Sequence, residues 1–133
     1  MTRNFRSMCP IATALDVVGD KWSLLIVRDM LLEGKKTFKE ISSSREGIAP
    51  NILSSRFKRL EAYGILTKHK LPTNKKENIY LLTERGIGLT PVVLEVILWG
   101  TGLGHIRHVA SVILVALAAI GRFPIVWGLQ AVG

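Results

Sequence analysis

A mainly α (α+β) domain with a single β-hairpin is predicted by three observations. Two helical stretches, residues 38–41 and 50–63, lie close together, broken at Glu46-Gly47 and stopped by Gly64. Two β-like runs follow, 65–71 and 79–82. The segment between them, Pro72-Thr73-Asn74-Lys75-Lys76-Glu77, is turn-rich and basic. A helix, a turn, a second helix and then a basic hairpin is the layout of a winged helix-turn-helix with a two-stranded wing, which offers its second helix to the DNA major groove.

Taken in order, residues 11–18 read as a first helix, with Cys9-Pro10 at its start and Gly19-Asp20 at its close. Proline suits a first helical turn, where its missing N–H costs nothing. Residues 21–32 are predicted as a second helix, N-capped by Asp20 and stopped at Glu33-Gly34. Trp22, Leu25, Ile26 and Met30 share helical spacing, so they are expected to face the core. Thr37 then caps a short helix over 38–43, and its Thr37-x-x-Glu40 spacing matches a capping box.

The helix over 50–63 carries the functional expectation. Leu53, Phe57 and Leu60 fall within an arc of about 60° at the helical period, and that arc must turn inward. Opposite lie Asn51, Ser55, Lys58 and Ala62, flanked by Ser54 and Arg59, and no acid interrupts this side until Glu61. Asparagine can bond both edge atoms of adenine, serine can reach a base or a phosphate, and Lys or Arg contacts guanine or the backbone. A solvated helix face would look the same in isolation. The hairpin behind it turns the balance toward DNA, because both features belong to one docking geometry. In the hairpin, alternation puts Lys68 and Lys70 on one face and Thr67, His69 and Leu71 on the other. Lys75 and Lys76 at the tip suit phosphate, which carries no sequence information.

Composition agrees. Eighteen Lys and Arg against ten Asp and Glu leave a net charge of +8 over 133 residues, a balance that favours a polyanion and that an anionic membrane surface also satisfies. The single cysteine, Cys9, excludes an internal disulfide framework and suits a reducing cytoplasm. No long apolar run follows the first basic residues, so no secretory signal is expected. An enzyme is not expected: there is no Gly-rich phosphate loop, no metal-spaced His/Cys set and no nucleophile beside a base. His105 and His108 alone are too few ligands for a metal. No cofactor is implied. The rival reading is a winged-helix adaptor that binds protein rather than DNA.

The chain resembles the HxlR-type family of winged helix-turn-helix transcriptional regulators, in the MarR-like superfamily. The matching segments are Cys9-Pro10-Ile11, Gly19-Asp20-Lys21-Trp22, Ile26-Val27-Arg28-Asp29, Phe38-Lys39-Glu40-Ile41 and Gly47-Ile48-Ala49-Pro50. Leu53 to Glu61, Gly64-Ile65-Leu66, Tyr80-Leu81-Leu82-Thr83 with Gly86, Pro91 and Trp99-Gly100 complete the match. The resemblance spans roughly residues 8–100. It implies a homodimer held by its terminal helices and bound to a pseudo-palindromic double-stranded DNA operator. Carried over by position, Pro50, Asn51, Ser54, Ser55, Lys58 and Arg59 would meet the groove, and Lys75 and Lys76 the flanking phosphates. Where such proteins usually have serine before the helix, this chain has Ala49, at a cost of about 1 kcal/mol of helix stability if nothing replaces the cap.

Cys9 stands where the resemblance often places a thiol responsive to oxidants or electrophiles. A cysteine at a helix start, with Arg6 near it in sequence, has its thiolate favoured. The other reading is an inert cysteine at a dimer seam. The expected domain covers residues 8–104, and residues 105–133 form an apolar tail that matches nothing in the family. Eleven of the twelve residues in 109–120 are apolar, before Gly121-Arg122 and Pro124 interrupt. Extra packing or a dimer interface, an altered terminus, and membrane attachment all remain open for it, although a span needs about 20 apolar residues.

Overall fold

The computed structural model describes residues 5–102, and the expectations placed on residues 105–133 lie outside them. The first helix, α1 (Pro10–Val18), opens on Pro10 and buries Val17 and Val18. The second, α2 (Ser23–Leu32), starts two residues later than the sequence suggested. Lys21 and Trp22 form a turn, and the Asp20 carboxylate reaches over it to accept the N–H groups of Trp22 at 3.1 Å and Ser23 at 3.2 Å. Asp20 therefore satisfies the amides of the helix start without being its formal cap. Ile26 and Met30 are buried as expected, while Trp22 and Leu25 are half-buried.

Helix α3 (Phe38–Ser42) carries the predicted capping box. The Thr37 side chain accepts from the Glu40 N–H at 3.2 Å, and the Glu40 carboxylate accepts from the Thr37 N–H at 2.9 Å. A turn with Gly47 at φ +66 leads into α4 (Pro50–Ala62). Ala49 is the N-cap and supplies no side-chain bond. The helix ends at Tyr63, and Gly64, at φ +71, adopts the left-handed conformation that redirects the chain. The wing follows as β1 (Leu66–Lys70) and β2 (Asn78–Leu82), antiparallel in a register that pairs Lys68 with Tyr80. β1 is shorter than its β-like run, because the turn takes up the residues around Pro72, whereas β2 begins one residue earlier than expected, at Asn78. Beyond Leu66 every residue of β1 is exposed, so the lysines and His69 are solvated on both faces.

The backbone entering α3 lies along β2: the Tyr80 N–H donates to the Lys36 carbonyl at 2.7 Å, and Thr37 bridges Ile79. Phe57 of α4 stacks on Tyr80 with ring centroids 3.9 Å apart, and Phe38 of α3 tilts against Phe57 at 6.1 Å. One aromatic cluster thus joins both helices of the pair to the wing. Around it Ile26, Val27, Ile41, Leu53, Leu60, Ile65 and Leu66 form the apolar core.

After β2 come α5 (Glu84–Ile87), capped by Thr83, and α6 (Thr90–Gly100). The chain divides into two compact units after Val93, within α6. No helix among the described residues is long and apolar enough to cross a membrane.

Candidate nucleic-acid interface

The helical period sets the two sides of α4. Leu53 and Leu60 are fully buried and Phe57 nearly so, which turns Asn51, Ser54, Ser55 and Lys58 outward, all four exposed. Pro50, at the first helical position, is exposed beside them. Because Pro50 lacks an N–H and Ala49 lacks a hydroxyl, the helix start carries no side chain competing for its free amides. Lys75 and Lys76 are exposed at the hairpin tip. There Asn74 accepts from the Lys76 N–H at 3.1 Å and fixes the turn.

Arg59, expected among the groove-facing residues, is placed elsewhere. It is half-buried, its guanidinium donates to the Asp16 carbonyl, and it lies 5.9 Å from the Tyr63 ring centroid. A residue one helical step past Lys58 rotates toward α1, and the carbonyl at the C-terminal end of α1 takes its charge. The polar outward face therefore consists of Asn51, Ser54, Ser55 and Lys58.

The charged groups that fix α4 in place follow no local pattern in the sequence. Arg56 Nε donates to the Asp20 carboxylate at 2.7 Å, tying the middle of α4 to the start of α2. Burial pushes the Asp20 carboxyl up, but bonds from Ser23, Arg56 and the Trp22 amide outweigh it and leave it below the usual carboxylate range. Arg28 makes a fork to Glu46 at 2.8 and 3.1 Å while also bonding Asp29 at 2.9 and 2.6 Å. That arginine bond holds Glu46 at about 2. The available clue was Asp29 itself, a carboxylate set among the apolar positions of α2 three residues after Ile26.

Cys9 is exposed at the N-cap position of α1. The amides of Ala12 and then Ile11 point at its sulfur and lower its pKa. Arg6, placed near Cys9 by sequence, is engaged instead with Asp16 at 3.1 Å. Among the described residues no group of three or more His, Cys, Asp or Glu is arranged to hold a metal ion.

Known proteins share this arrangement. The uncharacterised HTH-type transcriptional regulator YvaP of Bacillus subtilis (strain 168) is 33% identical over 99 residues, 74% of this chain and 91% of the relative. The HTH-type transcriptional regulator YodB of the same organism is 36% identical over 94 residues, 70% of this chain and 83% of YodB. The reduced form of YodB superposes with a TM-score of 0.57 at 36% identity, covering 70% of this chain and 91% of that one. YodB is also known in diamide-treated and quinone-bound forms. The redox regulator HypR in its oxidised form superposes with a TM-score of 0.64 at 34% identity, covering 71% and 96% of the two chains. The family model for HxlR-like helix-turn-helix proteins matches residues 17–107. With that match, the buried Leu53–Phe57–Leu60 stripe and the hairpin wing, this chain belongs to the HxlR-like helix-turn-helix family of transcriptional regulators.

Proposed function

We propose that the chain acts as a homodimer that binds a pseudo-palindromic operator in double-stranded DNA and responds to thiol-reactive compounds through Cys9. The observation that carries the reading is the outward face of α4. Asn51, Ser54, Ser55 and Lys58 are exposed together, with no acid among them, on a helix whose other side is buried. Such a face suits base edges, and Pro50 sits where the helix end approaches the backbone. Lys75 and Lys76 on the wing supply the charge that anchors the duplex without reading it.

Two-fold association is supported by α1 and the residues leading into it. Met8 is 98% exposed, Ile11 71% and Leu15 52%, an apolar surface that a second copy would cover. Two such subunits would read half-sites about one helical turn apart, roughly 10 bp. Sensing is supported by the exposure of Cys9 and by the amides that favour its thiolate. YodB, known with diamide and with quinone, supplies the precedent. With one cysteine in the chain, the modified state would be an adduct, a mixed disulfide or a Cys9–Cys9 bond between subunits.

The test is selection of bound fragments from a pool of random duplex DNA by the full-length protein. Enrichment of an inverted repeat is the expected result. Recovery without sequence preference, at any salt concentration, would remove the operator from the reading.

A further inference from the structure

Helix α4 lacks the usual fastening at its start, since Ala49 provides no side-chain cap. Its turn is tied down elsewhere, to a residue buried in α2. Asp29 is 1% exposed, and a buried carboxylate persists only when paired and hydrogen-bonded. One oxygen accepts from Arg28 Nε at 2.9 Å and Nη2 at 2.6 Å. The other accepts from Lys35 Nζ at 3.2 Å and from the Ser44 hydroxyl. Lys35 also donates to Ser44 Oγ at 3.0 Å, so the serine is gripped from two sides.

Both branches end on one short segment. Ser44 lies in the turn between α3 and α4, and its carbonyl accepts from the Gly47 N–H at 3.1 Å. Arg28 carries the second branch to Glu46, two residues further along. Ile48 is then buried, and α4 begins at Pro50. The connection runs from α2, 15 residues back in sequence, to the residues that decide where α4 starts. Of the charged residues lining the cleft beside this turn, Arg28, Glu33, Lys35 and Glu46 are paired with each other or with Asp29, and Arg45 lies outside the described ion pairs. The groups paired around Asp29 are thus arranged as a strut.

We propose that Asp29 is a positioning residue for the DNA-reading helix. Through Ser44, and through Arg28 and Glu46, it sets the turn that aims Asn51, Ser54, Ser55 and Lys58. This inference rests on the operator-binding reading above, and its test has an arm that does not. The full-length Asp29→Asn and Ser44→Ala variants are compared with the unaltered protein by amide hydrogen exchange and by duplex binding. The second variant removes only the turn's hydroxyl, so it keeps the test decisive if the first fails to fold.

Exchange of the amides of residues 44–49 and 51 should speed up by about ten-fold or more, with the core amides of α2 and β2 unchanged. Affinity for the duplex selected by the unaltered protein should fall about ten-fold, consistent with loss of one charged hydrogen bond. Affinity for a scrambled duplex of the same length should hold, because Lys75 and Lys76 are untouched. Unchanged exchange at residues 44–49 and 51, or equal acceleration throughout the chain, overturns the proposal. So does an equal loss on both duplexes. If the unaltered protein selects no duplex, the operator reading falls, and the exchange arm alone decides whether Asp29 holds the turn.

Discussion

At the scale of single residues, polar side chains on α4 divide by what they already hold. Arg56 and Arg59 are committed to Asp20 and to the Asp16 carbonyl, whereas Asn51, Ser54, Ser55 and Lys58 point into solvent. The second group is exposed to a partner, although the Ser55 hydroxyl also accepts a 3.4 Å bond from Arg56 Nη1. Asn51→Ala and Lys58→Ala should therefore weaken the selected duplex by about 1–3 kcal/mol each and relax preference at the positions they touch. Lys75→Ala should weaken all duplexes alike. Competition titrations against scrambled DNA separate the two patterns, and a uniform loss for Asn51→Ala would remove it from the base-reading set. Cys9 belongs to this scale too. Cys9→Ser should keep duplex affinity while abolishing release by diamide or quinone, measured by the same titration. Release that persists in Cys9→Ser would assign the response to another group.

At the scale of elements, the aromatic cluster and the ion-pair strut hold α4 from different sides. Phe57→Ala removes the ring that touches both Phe38 and Tyr80, and should cost about 3–5 kcal/mol in urea unfolding. The strut contributes in a pH-dependent way. Glu46 is held at about 2 in the folded chain against an ordinary 4.5, and Asp29 is also lowered, burial being outweighed by bonds from Ser44, Arg28 and Lys35. A carboxyl lowered by folding stabilises fully above its unfolded pKa, and that stability is lost as pH falls through the folded one. The unfolding midpoint of Glu46→Gln should therefore lie below that of the unaltered protein at neutral pH. The gap should close as pH drops from 4.5 toward 2. A gap independent of pH would mean that the ionised pair with Arg28 is not its source. Much of this level was legible beforehand. The 3.6-residue period separated the Leu53–Phe57–Leu60 stripe from the polar face of α4, and Thr37-x-x-Glu40 marked α3, because both are local patterns. The start of α2 and the placement of Arg59 were not. Each depends on a hydrogen bond that skips a turn or joins residues 43 apart, and such bonds leave no periodic trace.

At the scale of the whole molecule, the proposed two-fold assembly makes every phosphate contact count twice. Each phosphate neutralised on B-DNA contributes about 0.9 to the slope of log affinity against log salt concentration. If both wings of a dimer engage the duplex, Lys75→Ala deletes two contacts and should flatten that slope by about 1.8. A single bound subunit would lose about 0.9. Lys75 is exposed and outside the described ion pairs, so its removal should leave the fold unaffected and the slope change readable as stoichiometry. Lys58→Ala serves as the comparison, since a lysine shared between base and phosphate should change the slope less than it changes affinity for the selected site. Titrations at four or more salt concentrations with the selected inverted repeat would give the number directly. A change near 0.9 for Lys75→Ala, on a duplex carrying both half-sites, would rule out simultaneous engagement of two wings and with it the symmetric dimer as the DNA-bound form.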